Sequence, residues 1–196
     1  MASDVDICNS ALNMIGASNI ISLTEDSRAA RVCNQRFEFV RDATFRAHPW
    51  NCLITRTSLA ADSETPAFEF EYQHTLPTDP YCLRVLRPQD IDTIYRIEGR
   101  KIMSNATPFK MIYVARVTDA NEYDQLLIET IASRLAADIS YALVNSAALS
   151  QSLMAMYEGK LSEARFVDAT EGTPDNIINV DRATYVESDM FIASRF

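Results

Sequence analysis

The sequence predicts an α+β protein. A bundle of about four helices (residues 1–50 and 118–169) carries an inserted small antiparallel β domain (51–117) and an extended C-terminal tail (170–196). Three observations predict it. Apolar residues recur with helical spacing towards both ends of the chain, and between those stretches the pattern switches to strict alternation. Five prolines, Pro66, Pro77, Pro80, Pro88 and Pro108, fall between the alternating runs, where turns belong.

Taken in order, residues 4–15 read as a first helix, with Asp4 or Ser3 as cap. Ile7, Ala11, Met14 and Ile15 lie on its apolar side and Gly16 stands just past its end. The next helix is the clearest. Thr24 can cap it, Glu25 and Asp26 suit the positive end of the helix dipole, and Ala30, Cys33, Phe37, Val40 and Thr44 form a stripe that should face a core. Arg31, Arg36, Arg41 and Arg46 recur every fifth residue, which rotates them around the helix; they read as a solvated set with pairs such as Asp42 to Arg46. Pro49 stops the helix after His48, and Trp50, the single tryptophan, sits at the corner.

In the middle region Cys52, Ile54 and Thr57 begin a strand, and Phe68, Phe70 and Tyr72 alternate with Glu69 and Glu71 as a half-buried one. Further strands are expected over 81–86, 92–98, 101–104 and 110–117, with a turn at Gly99. Helical spacing then returns. Asp119 and Glu122 form a capping box for a helix over 120–144, whose stripe is Tyr123, Leu127, Ile131, Leu135, Ile139 and Leu143. Asn145 and Ser146 offer a break and a new cap for a last helix over 147–167, with alanines that allow close approach. From Asp168 the periodicity is lost. Residues 176–180 could add a short strand, and the end, MFIASRF, is apolar for a tail, so it is expected to dock on its own domain or on a neighbour.

The composition narrows the function. A net charge of −9 argues against a free-standing DNA binder, and no apolar run approaches the ~20 residues of a membrane span. The N-terminus lacks the basic-then-apolar pattern of a signal peptide, so the chain is expected to stay in the cytoplasm where it is made. Cys8, Cys33, Cys52 and Cys82 are widely spaced, form no CxxC and read as reduced, buried thiols rather than a zinc or disulfide framework. His48 and His74 are the only histidines and make no catalytic or metal motif. Four glycines exclude a phosphate-binding or dinucleotide loop. The most basic patch, GRKIMSNATPFK with Arg100, Lys101 and Lys110, reads as a solvated hairpin. No cofactor, metal site or enzymatic activity is expected.

Several strings together resemble the tail tubular protein A family: ICNSALNMIGA, FRAHPWNCLITRTSLA, LPTDPYCLRVLRP, YRIEGRKIMSN, VTDANEYDQLLIETIASRLAADISYAL and LSQSLMAMYEGKLSEAR, in collinear order over residues 5 to 172. These motifs are patterns of packing and are specific only in combination; the tail after Gly172 does not match. Members of that family are head-to-tail adaptors of short-tailed, podovirus-like bacteriophages and related prophages. The resemblance implies a homo-oligomeric ring, a dodecamer, in the virion tail. Its helical part would face the portal protein and its β part the tail nozzle protein, with DNA passing through the lumen unread. On that view Met190, Phe191, Ile192 and Phe196 are expected as partner anchors, and Arg46, His48 and Trp50 as further interface candidates; for His48 and Trp50 a buried hinge role is the competing expectation. The alternative is a small cytoplasmic enzyme or regulatory binding protein with a site between bundle and β domain.

Overall fold

The structure is a computed structural model that describes residues 2–171. Four helices and six strands follow one another as α1 (Asp4–Met14), α2 (Arg28–Ala47), β1 (Ile54–Leu59), β2 (Tyr72–Thr75), β3 (Cys82–Pro88), β4 (Tyr95–Glu98), β5 (Lys101–Ser104), β6 (Phe109–Ala115), α3 (Gln125–Val144) and α4 (Ala147–Thr170). The class is α+β, as expected. No helix among the described residues is long and apolar enough to cross a membrane.

Ser3 is the cap of α1. Its hydroxyl accepts from the Asp6 amide while the Asp6 carboxylate accepts from the Ser3 amide, a closed capping box. Gly16, at φ +70°, takes the left-handed turn after the helix, a conformation glycine adopts without a Cβ penalty.

α2 begins three residues later than expected, capped by Ser27 instead of Thr24. Glu25 turns back to accept from the Ile21 and Ser22 amides, Thr24 bonds the Ser22 hydroxyl, and Ser27 takes the cap, accepting from Ala30 N at 3.1 Å. The amides of the preceding loop win the carboxylate that the helix dipole would have attracted. The expected Asp42 to Arg46 pair is also absent. Asp42 is shared by Arg41 (3.1 Å) and Arg116 (2.5 Å), and Arg46 reaches the Leu83 carbonyl.

The long helix predicted from 120 is broken. Ala120–Glu122 is a 3₁₀ turn capped by Asp119, Tyr123 is extended, and Asp124 caps α3 by accepting from Leu126 N and Leu127 N. Tyr123 causes the break: its ring is buried edge-on against Phe45 at 5.3 Å and its hydroxyl donates to Val117 O, a position unlike any that a continuous helix would give it. α3 is apolar nearly all round, as a central helix must be, and contacts α1, α2 and α4 while α1 and α2 barely meet. Asn145 in the left-handed region and Ser146 as cap make the turn into α4, as expected.

The strands form two antiparallel sheets, ordered β1-β6-β3 and β2-β5-β4. β5 matches its predicted span. The predicted strand at Phe68 does not form: Glu69 is kinked at φ 69°, its carboxylate pairs with Arg96, and Phe68 is 78% exposed, so pairing starts only at Tyr72. Between the sheets lies a small core of Leu76, Cys82, Ile102, Phe109, Met111, Tyr113 and Ala115. The larger core lies among the helices and takes in Leu53, Leu83 and Val114. Neighbouring residues of β3 and of β6 therefore point into different cores, as the alternation of a strand dictates.

Candidate functional site

Pro49 ends α2 by forcing His48 into an extended conformation (φ −147°). The chain then turns a corner that three side chains hold. Trp50, 1% exposed, donates its indole N–H to Thr44 O at 3.0 Å and meets the His48 ring edge-on at 4.9 Å. From the end of α4, Asp168 brings one carboxylate oxygen to His48 Nε2 and the other to Asn51 N, both at 3.0 Å, and its carbonyl accepts from the Asn51 side chain at 2.7 Å. Arg165, one turn earlier, donates to Ala47 O at 2.8 Å. The last turn of α4 is thereby bolted to the point where helix gives way to strand.

Burial pushes the His48 imidazole below its ordinary value, against the opposing pull of the Asp168 carboxylate. A neutral ring with Nε2 protonated donates to Asp168, and this tautomer follows from a carboxylate being able only to accept.

Beside this corner opens a cleft of about 420 Å³, between the end of α2, the start of β3 and the β4–β5 hairpin. Arg46, Arg84, Arg100 and Arg116 line it, together with Leu76, Tyr81, Val85 and Ile97, and among the described residues no acidic one does. Arg100 and Arg116 stack on the Tyr81 ring, with their guanidinium carbons 3.9 and 4.4 Å from its centroid. Arg100 donates to the Cys82 and Pro77 carbonyls and Arg84 to Arg46 O. The basic hairpin expected to be solvated is thus divided. Arg100 is half-buried in the cleft, Lys101 pairs with Glu64 at 3.2 Å, and Lys110 stays exposed on the outer sheet.

The two groupings differ chemically. In the corner, the Asp168 carboxylate is spent on holding the backbone in place. In the cleft, guanidinium groups satisfy carbonyls, which completes hydrogen bonds but leaves charge unbalanced. Among the described residues none of Arg46, Arg84 and Arg100 meets a carboxylate within ion-pair distance. Only Arg116 does, sharing Asp42 with Arg41. Among the described residues no three His, Cys, Asp or Glu side chains stand close enough to hold a metal ion.

Of the candidate residues read from sequence, Arg46, His48 and Trp50 come together at this junction. Trp50 is buried, packed against His48 and bonded to Thr44 O. Met190, Phe191, Ile192 and Phe196 lie outside the described residues. Asp168, Asn51, Arg84 and Tyr81 were not singled out from sequence. Asp168 stood where the helical period fades, and that loss of pattern hid a side chain that is 9% exposed. Cys8, Cys33 and Cys82 are buried and Cys52 is half-buried, all as free thiols; the hydrogen bond to Cys33, and then burial, push the Cys8 thiol far up.

Among known proteins, no family model matches the chain, and no curated protein matches its sequence.

Proposed function

We propose that this protein is a structural head-to-tail adaptor of a podovirus-like phage. It is made in the host cytoplasm and assembles into a homo-oligomeric ring, a dodecamer, at the head-tail junction of the virion. The body built from residues 1–50 and 118–169 meets the portal protein, the β domain over 51–117 meets the tail nozzle protein, and DNA passes through the lumen. The observation that carries this reading is that one chain presents two unlike surfaces on a single fixed joint, helical on one side and β on the other, with the Asp168 corner between them. A closed ring needs heterologous contacts, and a two-part subunit supplies them.

Charge supports it as well. Residues 118–171 carry nine acidic and three basic side chains, whereas residues 51–117 carry eight of each. A lumen lined by the α3–α4 hairpin would repel phosphates and let a genome slide. Met190, Phe191, Ile192 and Phe196 act as anchors on the portal or on a neighbouring subunit, since apolar side chains on a tail gain most when binding buries them.

Electron cryo-microscopy of the protein mixed with portal rings from the same phage tests this. Added ring density beneath the portal, lost on truncation after Asp189 while the circular dichroism spectrum stays unchanged, is the expected result. Absence of any association would reject it. A second reading, a regulatory binding protein or small enzyme with a site between bundle and β domain, is favoured by one observation only, the arginine cleft. A rise in melting temperature with a small anionic metabolite would support that reading.

A further inference from the structure

The cleft gathers positive charge in a protein whose net charge is −9, and among the described residues it is supplied with one carboxylate, Asp42, already divided between two arginines. Like charges held together in a partly desolvated place repel, and a guanidinium bonded only to carbonyls keeps its full attraction for a carboxylate. Arg46, Arg84, Arg100 and Arg116 surround a space that also offers apolar surface from Val85 and Ile97. Its best occupant therefore combines carboxylates with a bulky apolar side chain.

The chain contains such a segment near the right place. Residues 187–191 read Glu-Ser-Asp-Met-Phe. In an extended segment Glu187, Asp189 and Phe191 lie on one side, two acids followed by an aromatic ring. α4 ends at Thr170, two residues after Asp168, which is bonded to His48 and Asn51; Arg165 is bonded to Ala47, the residue next to Arg46 of the cleft. The rest of the chain thus departs from beside the cleft. The seventeen residues from Glu171 to Glu187 could span up to roughly 50 Å, far more than the approach needs.

We propose that in the free chain Glu187–Phe191 docks in this cleft of the same molecule, its two carboxylates on the arginines and the Phe191 ring against Val85 and Ile97. The docked segment covers an apolar end that would otherwise be open to premature contacts, and a partner must displace it. This goes beyond the adaptor reading: it is read in the isolated chain with no portal present, and the two stand or fall separately.

Hydrogen exchange of the full-length chain, followed by mass spectrometry on peptides covering 183–196, tests it. The amides of 187–191 are expected to exchange at least about tenfold more slowly than in an unstructured peptide, independent of protein concentration. Arg84→Glu alone and Asp189→Arg alone each remove that protection; combining them restores it in part. Among the described residues the Arg84 side chain makes one hydrogen bond, to Arg46 O, and Asp189 lies beyond the described residues, so unchanged exchange in α3 confirms that each variant folds. Three results overturn the proposal: unstructured exchange rates in the unmodified chain, protection indifferent to Arg84→Glu, or protection that falls on dilution, which would put the segment on another copy.

Discussion

Around α3 the buried side chains are mostly apolar; Thr130, Ser133 and Ser140 on α3 and Thr44 on α2 bond back to carbonyls of their own helices, and Arg41 on α2 pairs with Asp42. Between the two sheets seven apolar side chains close around a histidine. His74 is fully buried, Nδ1 faces Ala60 O at 3.0 Å and Nε2 faces Ala106 O at 3.1 Å. The helical part is thus held by volume, and the β part by a few aimed polar contacts around a core too small to hold it alone. A helix closes its own hydrogen bonds, whereas short strands joined by loops leave carbonyls that something must reach.

The comparison can be broken at several points. The largest effect is expected for Leu135→Ala, at the centre of α3 with no exposure: about 3–4 kcal/mol lost in denaturant unfolding, because close-packed neighbours cannot collapse onto the hole. Asp168→Ala frees the Asn51 amide and the His48 ring at the joint and should cost about 1–3 kcal/mol, with faster hydrogen exchange at residues 48–53 as its signature. His74→Leu keeps the volume and removes the polar reach. It should cost about 1 kcal/mol, the worth of the imidazole's hydrogen bond, since Ala106 O keeps the Ser104 hydroxyl and Ala60 is exposed; an unchanged or higher melting temperature would mean that apolar filling holds the sheets after all.

The smallest effect concerns pH. Burial holds His48 below its ordinary value near 6.5, so the unfolded chain binds the proton more readily than the folded one. That contribution to stability is fully present above about pH 6.5 and is lost as the pH falls through the depressed folded value. Denaturant midpoints between pH 7 and 5 should decline less in His48→Gln than in the unmodified chain.

The helices were largely legible because their signals are local. Ser146 after a left-handed Asn145 reads as a new start, and the stripe from Leu127 to Leu143 needs only its own spacing. Near Thr24 the same rules misplaced a boundary, since Thr24, Asp26 and Ser27 are equally good caps and the choice turned on which amides Glu25 could reach. The cleft was illegible for a different reason. Arg46, Arg84, Arg100 and Arg116 come from four separate stretches, and each alone looks like an ordinary solvated arginine. Only the folding of the β4–β5 hairpin onto the end of α2 makes them neighbours.

The division of β3 and β6 between two cores has a mechanical consequence. Leu83 and Val114 point one way, Cys82 and Tyr113 the other, so each strand acts as a spar set into both halves. A load applied to the sheets would pass along these spars as shear on the ladder between them, where hydrogen bonds resist together rather than in sequence.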